Sequence, residues 1–130
     1  PELIAIDGPA GDTFVDLIVE SWAAGAAIAP IDHRLPDGPR QAVLDVIKPT
    51  VVARIGSDGS VERHVVADGG AVAEGDALVI ATSGTSGVPK AVVHTHASIE
   101  ASARATSAAL AVDPEADRWL ACLPPAHIGG

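Results

Sequence analysis

Leu78-Val79-Ile80-Ala81-Thr82-Ser83-Gly84-Thr85-Ser86-Gly87-Val88-Pro89-Lys90-Ala91-Val92-Val93-His94 is the stretch on which the reading of this chain turns. An apolar run of buried-strand character enters a nine-residue segment, 82–90, that holds four hydroxyls, two glycines and one lysine. Apolar residues with β-branched valines resume directly behind it, so the segment joins strand to strand. Glycine lets consecutive backbone N–H groups converge on one point, and no Cβ blocks a ligand there. The hydroxyls can donate to phosphate oxygens. Lys90 adds a charge-assisted hydrogen bond, roughly twice as strong as a neutral one, and Pro89 stiffens the exit. Gly, Ser and Thr are also the ordinary material of surface loops; the strand ahead and the Pro-Lys behind are what set this loop apart. A Walker A loop wants Gly-x-x-x-x-Gly-Lys-Ser/Thr followed by a helix. With Gly84 as its first glycine Lys90 falls in register, yet Pro89 stands at the second glycine, Ala91 replaces the hydroxyl, and a strand follows.

Outward from this loop the pattern alternates strand and helix. Leu3-Ile4-Ala5-Ile6 is a short apolar run ended by the turn signal Asp7-Gly8-Pro9. Phe14, Leu17, Ile18, Ser21 and Trp22 recur at helical spacing, with Asp12 or Thr13 as the expected cap and Gly25 as the close. Residues 26–31 read as a buried strand. A second helix starts near Asp37-Gly38-Pro39, presents Val43, Leu44 and Ile47, and is stopped by Pro49. Residues 50–55 form a β-branched strand, Gly56-Ser57-Asp58-Gly59 a turn, and residues 60–66 a return strand. Residues 67–76 carry no periodicity and read as loop. Beyond the phosphate-type loop, residues 91–94 are a strand. Ser98 is the expected cap of a helix reaching Leu110, Asp113-Pro114 breaks it, and residues 119–123 are a last expected strand before Pro124-Pro125. Such alternation predicts an α/β fold, a mixed, partly parallel sheet with flanking helices.

Composition bounds the function. The chain has 130 residues, about one domain's worth, and a 48% apolar, 19% charged make-up that fits a globular protein. Eight Lys and Arg against 17 Asp and Glu, for a net charge of −9, offer little material for a nucleic-acid-binding face. An anionic ligand must therefore be held locally. No apolar run approaches the roughly 20 residues of a membrane span, and the N-terminus does not read as a signal peptide. With one cysteine, Cys122, no internal disulfide forms, and the cytoplasm is the expected compartment. The lack of methionine and the ending Ala126-His127-Ile128-Gly129-Gly130 suggest a fragment of a longer chain.

The order Thr82-Ser83-Gly84-Thr85-Ser86-Gly87-x-Pro89-Lys90 closely resembles the phosphate-binding signature of the adenylate-forming superfamily. That superfamily contains acyl- and aryl-CoA synthetases, nonribosomal peptide synthetase adenylation domains and luciferases. Ala91 departs from it, where the family usually has glycine. Trp22-Ala23-Ala24-Gly25-Ala26-Ala27-Ile28-Ala29-Pro30-Ile31-Asp32 is similar to an earlier core segment of the family, AGA-x-x-x-P-hydrophobic. Leu123-Pro124-Pro125-Ala126-His127-Ile128-Gly129-Gly130 is similar to its LP-x-x-H-x-x-G segment, which contributes to the acyl pocket. Small acyl-CoA synthetases, the o-succinylbenzoate–CoA ligases among them, look most similar, on residues 89–96, on Ala101-Ser102-Ala103 and on Trp119-Leu120.

The resemblance implies that residues 1–130 are part of the large N-terminal AMP-binding domain, with the C-terminal domain absent. It implies a parent enzyme that joins a carboxylic acid to ATP, releases pyrophosphate and passes the acyl group from AMP to coenzyme A. Thr82, Ser83, Gly84, Thr85, Ser86, Gly87 and Lys90 would hold the phosphates, with Mg2+ sharing that work. His127, Gly129 and Gly130 would line the acyl pocket, although His127 reads equally as a turn histidine satisfied by backbone. The later family motifs, Tyr-Gly-x-Thr-Glu and Thr-Gly-Asp, are not in the 130 residues. Lys90 is therefore not the catalytic lysine of the missing domain, no catalytic residue is expected here, and the fragment alone is expected to be inactive. The alternatives are an amino-acid adenylation domain that loads a carrier protein and a non-catalytic phosphate-binding module. His94 and His96, two apart, would share a strand face, and with no acidic or cysteine partner at ligand spacing they read as structural. Cys122 reads as a small buried hydrophobe.

Overall fold

The computed structural model describes residues 1–82 and 89–127. Its elements run β1 (Leu3–Asp7), α1 (Asp12–Ala23), β2 (Ala27–Ile31), α2 (Asp37–Ile47), β3 (Val51–Ile55), β4 (Val61–Val65), β5 (Asp76–Thr82), β6 (Lys90–Thr95) and α3 (His96–Ala109). The strands form one sheet in the order β4-β3-β1-β2-β5-β6. The inner four are parallel, while β4 pairs antiparallel with β3, and β6 with β5. The expected α/β fold with a mixed, partly parallel sheet is the fold observed.

Side chains alternate across a strand with a period of two, and β1 uses both faces. Ile4 and Ile6 pack with Ile28, Ala53 and Ile55 under Phe14 and Leu17 of α1. Leu3 and Ala5 pack with Ala27, Ala29, Ile31 and Val79 under Ile47, Val43 and Leu44 of α2. One helix thus covers each face, as parallel strands require. Because the chain leaves β1 for β2 on one side and returns to β3 on the other, the strand order reverses between β1 and β3. In open α/β sheets the crevice beyond the carboxyl ends at such a reversal is where ligands bind.

Local chemistry sets the connections. Gly8 follows β1 where β3 comes close: a Cβ there would lie 2.5 Å from Ile55 Cβ. Thr50 ties β3 to β1, since its Oγ1 accepts from the Leu3 N–H at 2.9 Å and its N–H donates to the Leu3 carbonyl at 2.8 Å. The Trp22 indole N–H on α1 donates to the Ala77 carbonyl of β5 at 2.9 Å. In the β2–α2 loop, Arg34 grips Asp32 through Nε and NH2 at 2.9 and 2.8 Å, and the Arg34 N–H donates to the same carboxylate. These bonds from Arg34 hold the Asp32 carboxyl well below the usual carboxylate range, against the opposing effect of burial.

Four expectations are corrected. The expected strand at residues 119–123 is not formed; Trp119, Leu120 and Leu123 are 66%, 83% and 53% exposed, and no described strand lies alongside to complete a ladder. Cys122 within it is exposed, not buried. Helix α1 is capped by Gly11 without a side-chain bond, and Asp12 and Thr13 lie inside its first turn, where Asp12 complements the helix dipole. Helix α3 begins at His96, with Thr95 as its cap: Thr95 Oγ1 accepts from the Ser98 N–H at 3.2 Å, and the Ser98 hydroxyl donates to the Thr95 carbonyl at 2.9 Å. His96 therefore leaves the strand, and its ring meets Trp22 edge-on, centroids 5.3 Å apart.

Two outcomes follow from this packing. Gly8→Ala forces a Cβ against Ile55 and is expected to lower stability by about 1–3 kcal/mol in urea unfolding. Combined with Ile55→Gly, which removes the Ile55 Cβ that the new methyl would strike, it should cost less than the sum of the two single losses; strict additivity would show that this contact is not the cause. The Asp32 carboxyl has a depressed native pKa, so its stabilisation is complete above the unfolded value of about 3.9 and fades as the pH falls toward the native one. The gap in urea midpoint between the wild-type protein and Asp32→Asn should be widest at about pH 7 and clearly narrower at about pH 3.

Candidate functional site

The glycine-rich segment joins the two antiparallel strands β5 and β6. Thr82 and Lys90 are register partners at its base, and the Thr82 hydroxyl donates to the Lys90 carbonyl at 3.3 Å. One foot of the loop stands in the core, because Ala77, Val79 and Ile80 of β5 are buried, while β6 is an exposed edge and Lys90 an exposed residue on it. A strand on both sides is the arrangement that distinguishes this loop from a Walker A loop, whose glycines open a helix. Ser83, Gly84, Thr85, Ser86 and Gly87, with Gly129 and Gly130, lie outside the described residues.

Beside the loop is a cavity of about 620 Å³ on the α2 face of the sheet, at the carboxyl ends of β2 and β5. Pro39, Ala42 and Val43 of α2 and Ile80 and Ala81 of β5 give it apolar walls, and Asp32, Thr82 and His127 give it polar groups. Pro89 lines it from the far side of the loop. Thr82 and His127, 45 residues apart in sequence, therefore face one space. Lys90 stands at the loop base and is not among the residues that line the cavity. His127 is held by a turn in which its N–H donates to the Pro124 carbonyl at 3.0 Å, and it also lines the cavity. Apolar walls with a few convergent polar groups are the usual composition of a small-molecule site.

A second, smaller cavity of about 240 Å³ is bounded by Gly8, Phe14, Ile31 and Arg34 on one side and by residues 121–126 on the other. Asp32 lines both cavities. Behind it sits Asp7 at the end of β1, only 3% exposed, paired with Arg40 NH1 of α2 at 3.2 Å and Arg54 Nε of β3 at 3.5 Å. Sequence reasoning missed Asp7 and Arg40, and met Asp32 only as the end of a core segment, without a role at this site. The available signal was an aspartate closing each of two apolar runs, Leu3-Ile4-Ala5-Ile6-Asp7 and Ala27-Ile28-Ala29-Pro30-Ile31-Asp32. Among the described residues no three His, Cys, Asp or Glu side chains gather as a metal-holding group, and no helix is long and apolar enough to cross a membrane.

Several known proteins are similar to this chain in sequence or in fold. A probable CoA ligase of Humulus lupulus is 49% identical over 57 residues, 44% of this chain and 9% of that protein. A 2-succinylbenzoate–CoA ligase of Bacillus cytotoxicus is 46% identical over 52 residues, 40% of this chain and 11% of that protein. Among solved structures, a four-domain nonribosomal peptide synthetase bound to AMP and glycine superposes with a TM-score of 0.66 and 26% identity, over 85% of this chain and 9% of that one. The matched region thus spans only about a tenth of each relative's length. The family description "AMP-binding enzyme" matches residues 57–130, more than half of the chain and the part that carries the loop, its hairpin and His127. The protein belongs to the AMP-binding enzyme family.

Proposed function

We propose that this chain is the part of an ATP-dependent acid–thiol ligase that holds the ATP phosphates and one wall of the acid pocket. The parent enzyme would convert an acyl or aryl acid to its acyl-AMP and transfer the acyl group to coenzyme A in the cytoplasm. Residues 1–130 then form part of its large N-terminal AMP-binding domain. The observation that carries this reading is the shared cavity: Thr82 at the foot of the glycine-rich loop and His127 face the same space.

The chemistry asks little of acids or bases. A carboxylate is already an anionic nucleophile, so the first step needs two anions brought together in line and the leaving pyrophosphate neutralised. Ser83, Gly84, Thr85, Ser86 and Gly87 would supply hydroxyl and backbone N–H donors to the β- and γ-phosphates, with Thr82 at their base and Lys90 as the placed cation. Mg2+ takes oxygen ligands and keeps several waters, and is bound largely through substrate phosphates. That suits a loop rich in hydroxyls. The ion supplies charge neutralisation of the pyrophosphate when bound. His127 would contact the carboxylate or carbonyl of the acid, with Gly129 and Gly130 letting the acid pass close to the backbone.

A second reading has its own support. A four-domain nonribosomal peptide synthetase bound to AMP and glycine shares the fold over 85% of this chain at 26% identity. An amino acid and a carrier-protein thiol would then replace the free acid and coenzyme A.

Pyrophosphate release by the full-length parent, measured over a panel of aryl, alkyl and amino acids, tests the proposal. Lys90→Ala should lower kcat by about 10- to 100-fold, the range set by losing one charge-assisted hydrogen bond of about 1.5–3 kcal/mol. His127→Ala should instead act mainly on KM for the acid. Release without any acid dependence, or Lys90→Ala at wild-type rate, would sink the ligase reading. Amino-acid-dependent release with transfer only to a carrier protein would select the second one.

A further inference from the structure

The wall between the two cavities is the β2–α2 loop, and its tether lies outside it. The Arg40 guanidinium donates through NH2 to two carbonyls of this loop, His33 at 2.8 Å and Leu35 at 2.9 Å, and through NH1 to the buried Asp7 carboxylate at 3.2 Å. Asp32 and Leu35 face the larger cavity, and Asp32, His33 and Arg34 the smaller. We infer that Arg40 is a positioning residue: anchored on Asp7, it fixes the 32–35 loop as the partition between the cavities and so sets the width of the larger one.

The anchor is suited to this. Asp7 is 3% exposed at the end of the central strand, with its backbone paired to β2 on one side and β3 on the other. The ladder thus fixes the Asp7 backbone, and Arg40 and Arg54 hold its carboxylate. Arg40 projects from α2, whose residues 39, 42 and 43 line the far wall of the same cavity. One guanidinium thus joins the sheet, the helix and the loop that bound a single space. The planar fork of arginine can serve three acceptors at fixed angles, and a lysine ammonium on its flexible stem cannot reproduce that geometry. Arg54 also pairs with Asp7, at 3.5 Å, so the carboxylate keeps a cationic neighbour if Arg40 is changed. Arg40 touches no proposed reacting atom, and its influence runs through Asp32 and Leu35.

Two measurements separate this inference from the ligase reading on which its functional half rests. In the full-length protein, Arg40→Lys keeps the charge beside Asp7 but cannot hold both carbonyls, while Arg40→Gln removes the charge as well. Hydrogen exchange followed on the Leu35 amide, which donates to the Asp32 carbonyl at 3.0 Å, should accelerate by at least about tenfold in both variants while the β1 and β3 amides keep their protection. In the acid-dependent pyrophosphate assay, Arg40→Lys should raise KM for the acid by roughly tenfold with kcat changed less than about threefold. Unchanged exchange at Leu35 in a folded variant overturns the clamp. Faster exchange with unchanged KM overturns its role in shaping the acid pocket. A wild-type enzyme that releases no pyrophosphate with any acid overturns the ligase reading instead, and the exchange result still decides the clamp.

Discussion

Parallel pairing is the constraint from which the rest of this structure follows. Four strands that point the same way cannot be joined by hairpins, so each connection must cross back over a face of the sheet. Two of the three connections are α1 on one face and α2 on the other, the third running from β3 through β4 and the following loop to β5, and β1 and β2 are buried at every residue. The same geometry sends the ends of β1, β2 and β5 out along one edge. Asp7, Asp32 and Thr82 emerge there because of strand direction, although they belong to three separate sequence segments.

The antiparallel pair β5–β6 departs from that rule, and the departure is what makes the phosphate-type loop. A crossover after β5 would have placed a helix N-terminus at its end. A hairpin instead returns the chain at once, so the loop is pinned at both feet, at Thr82 and at Lys90, and its inner foot is anchored in the core through Ile80. The outer foot stands on an edge strand with most of its residues exposed. The loop base is thus held firmly on one side and lightly on the other, which suits the phosphate-binding role proposed for it.

Much of this was readable from residues alone, for identifiable reasons. The inner strands are short apolar runs punctuated by Gly, Pro and Asp, and both α1 and α2 show their buried stripe at helical spacing. The hairpin turn at residues 56–59 carries its own turn chemistry, with Gly59 at a φ of 80°. The loop signature needs only nine adjacent residues. Residues 119–123 misled because an apolar run signals a strand only where a partner strand exists, and partnership is not a local property. The same holds for Asp7 and Arg40, 33 residues apart: neither has a neighbour in sequence that hints at the other. That His127 and Thr82 line one cavity has no local signal, since no periodicity spans their separation.

Trp22 gives the molecule a built-in optical reporter. Its indole N–H is fastened to Ala77 of β5 and its ring meets the edge of His96 where α3 begins, so one chromophore senses both ends of the segment that carries the phosphate-type loop. The other tryptophan, Trp119, is 66% exposed. The two indoles therefore experience different polarities, Trp22 half-buried and hydrogen-bonded, Trp119 largely exposed. Intrinsic emission from this chain is therefore expected to hold a blue component tied to the sheet edge and a red component tied to the C-terminal segment, the first being the one that a displacement of the β5–β6 hairpin would alter.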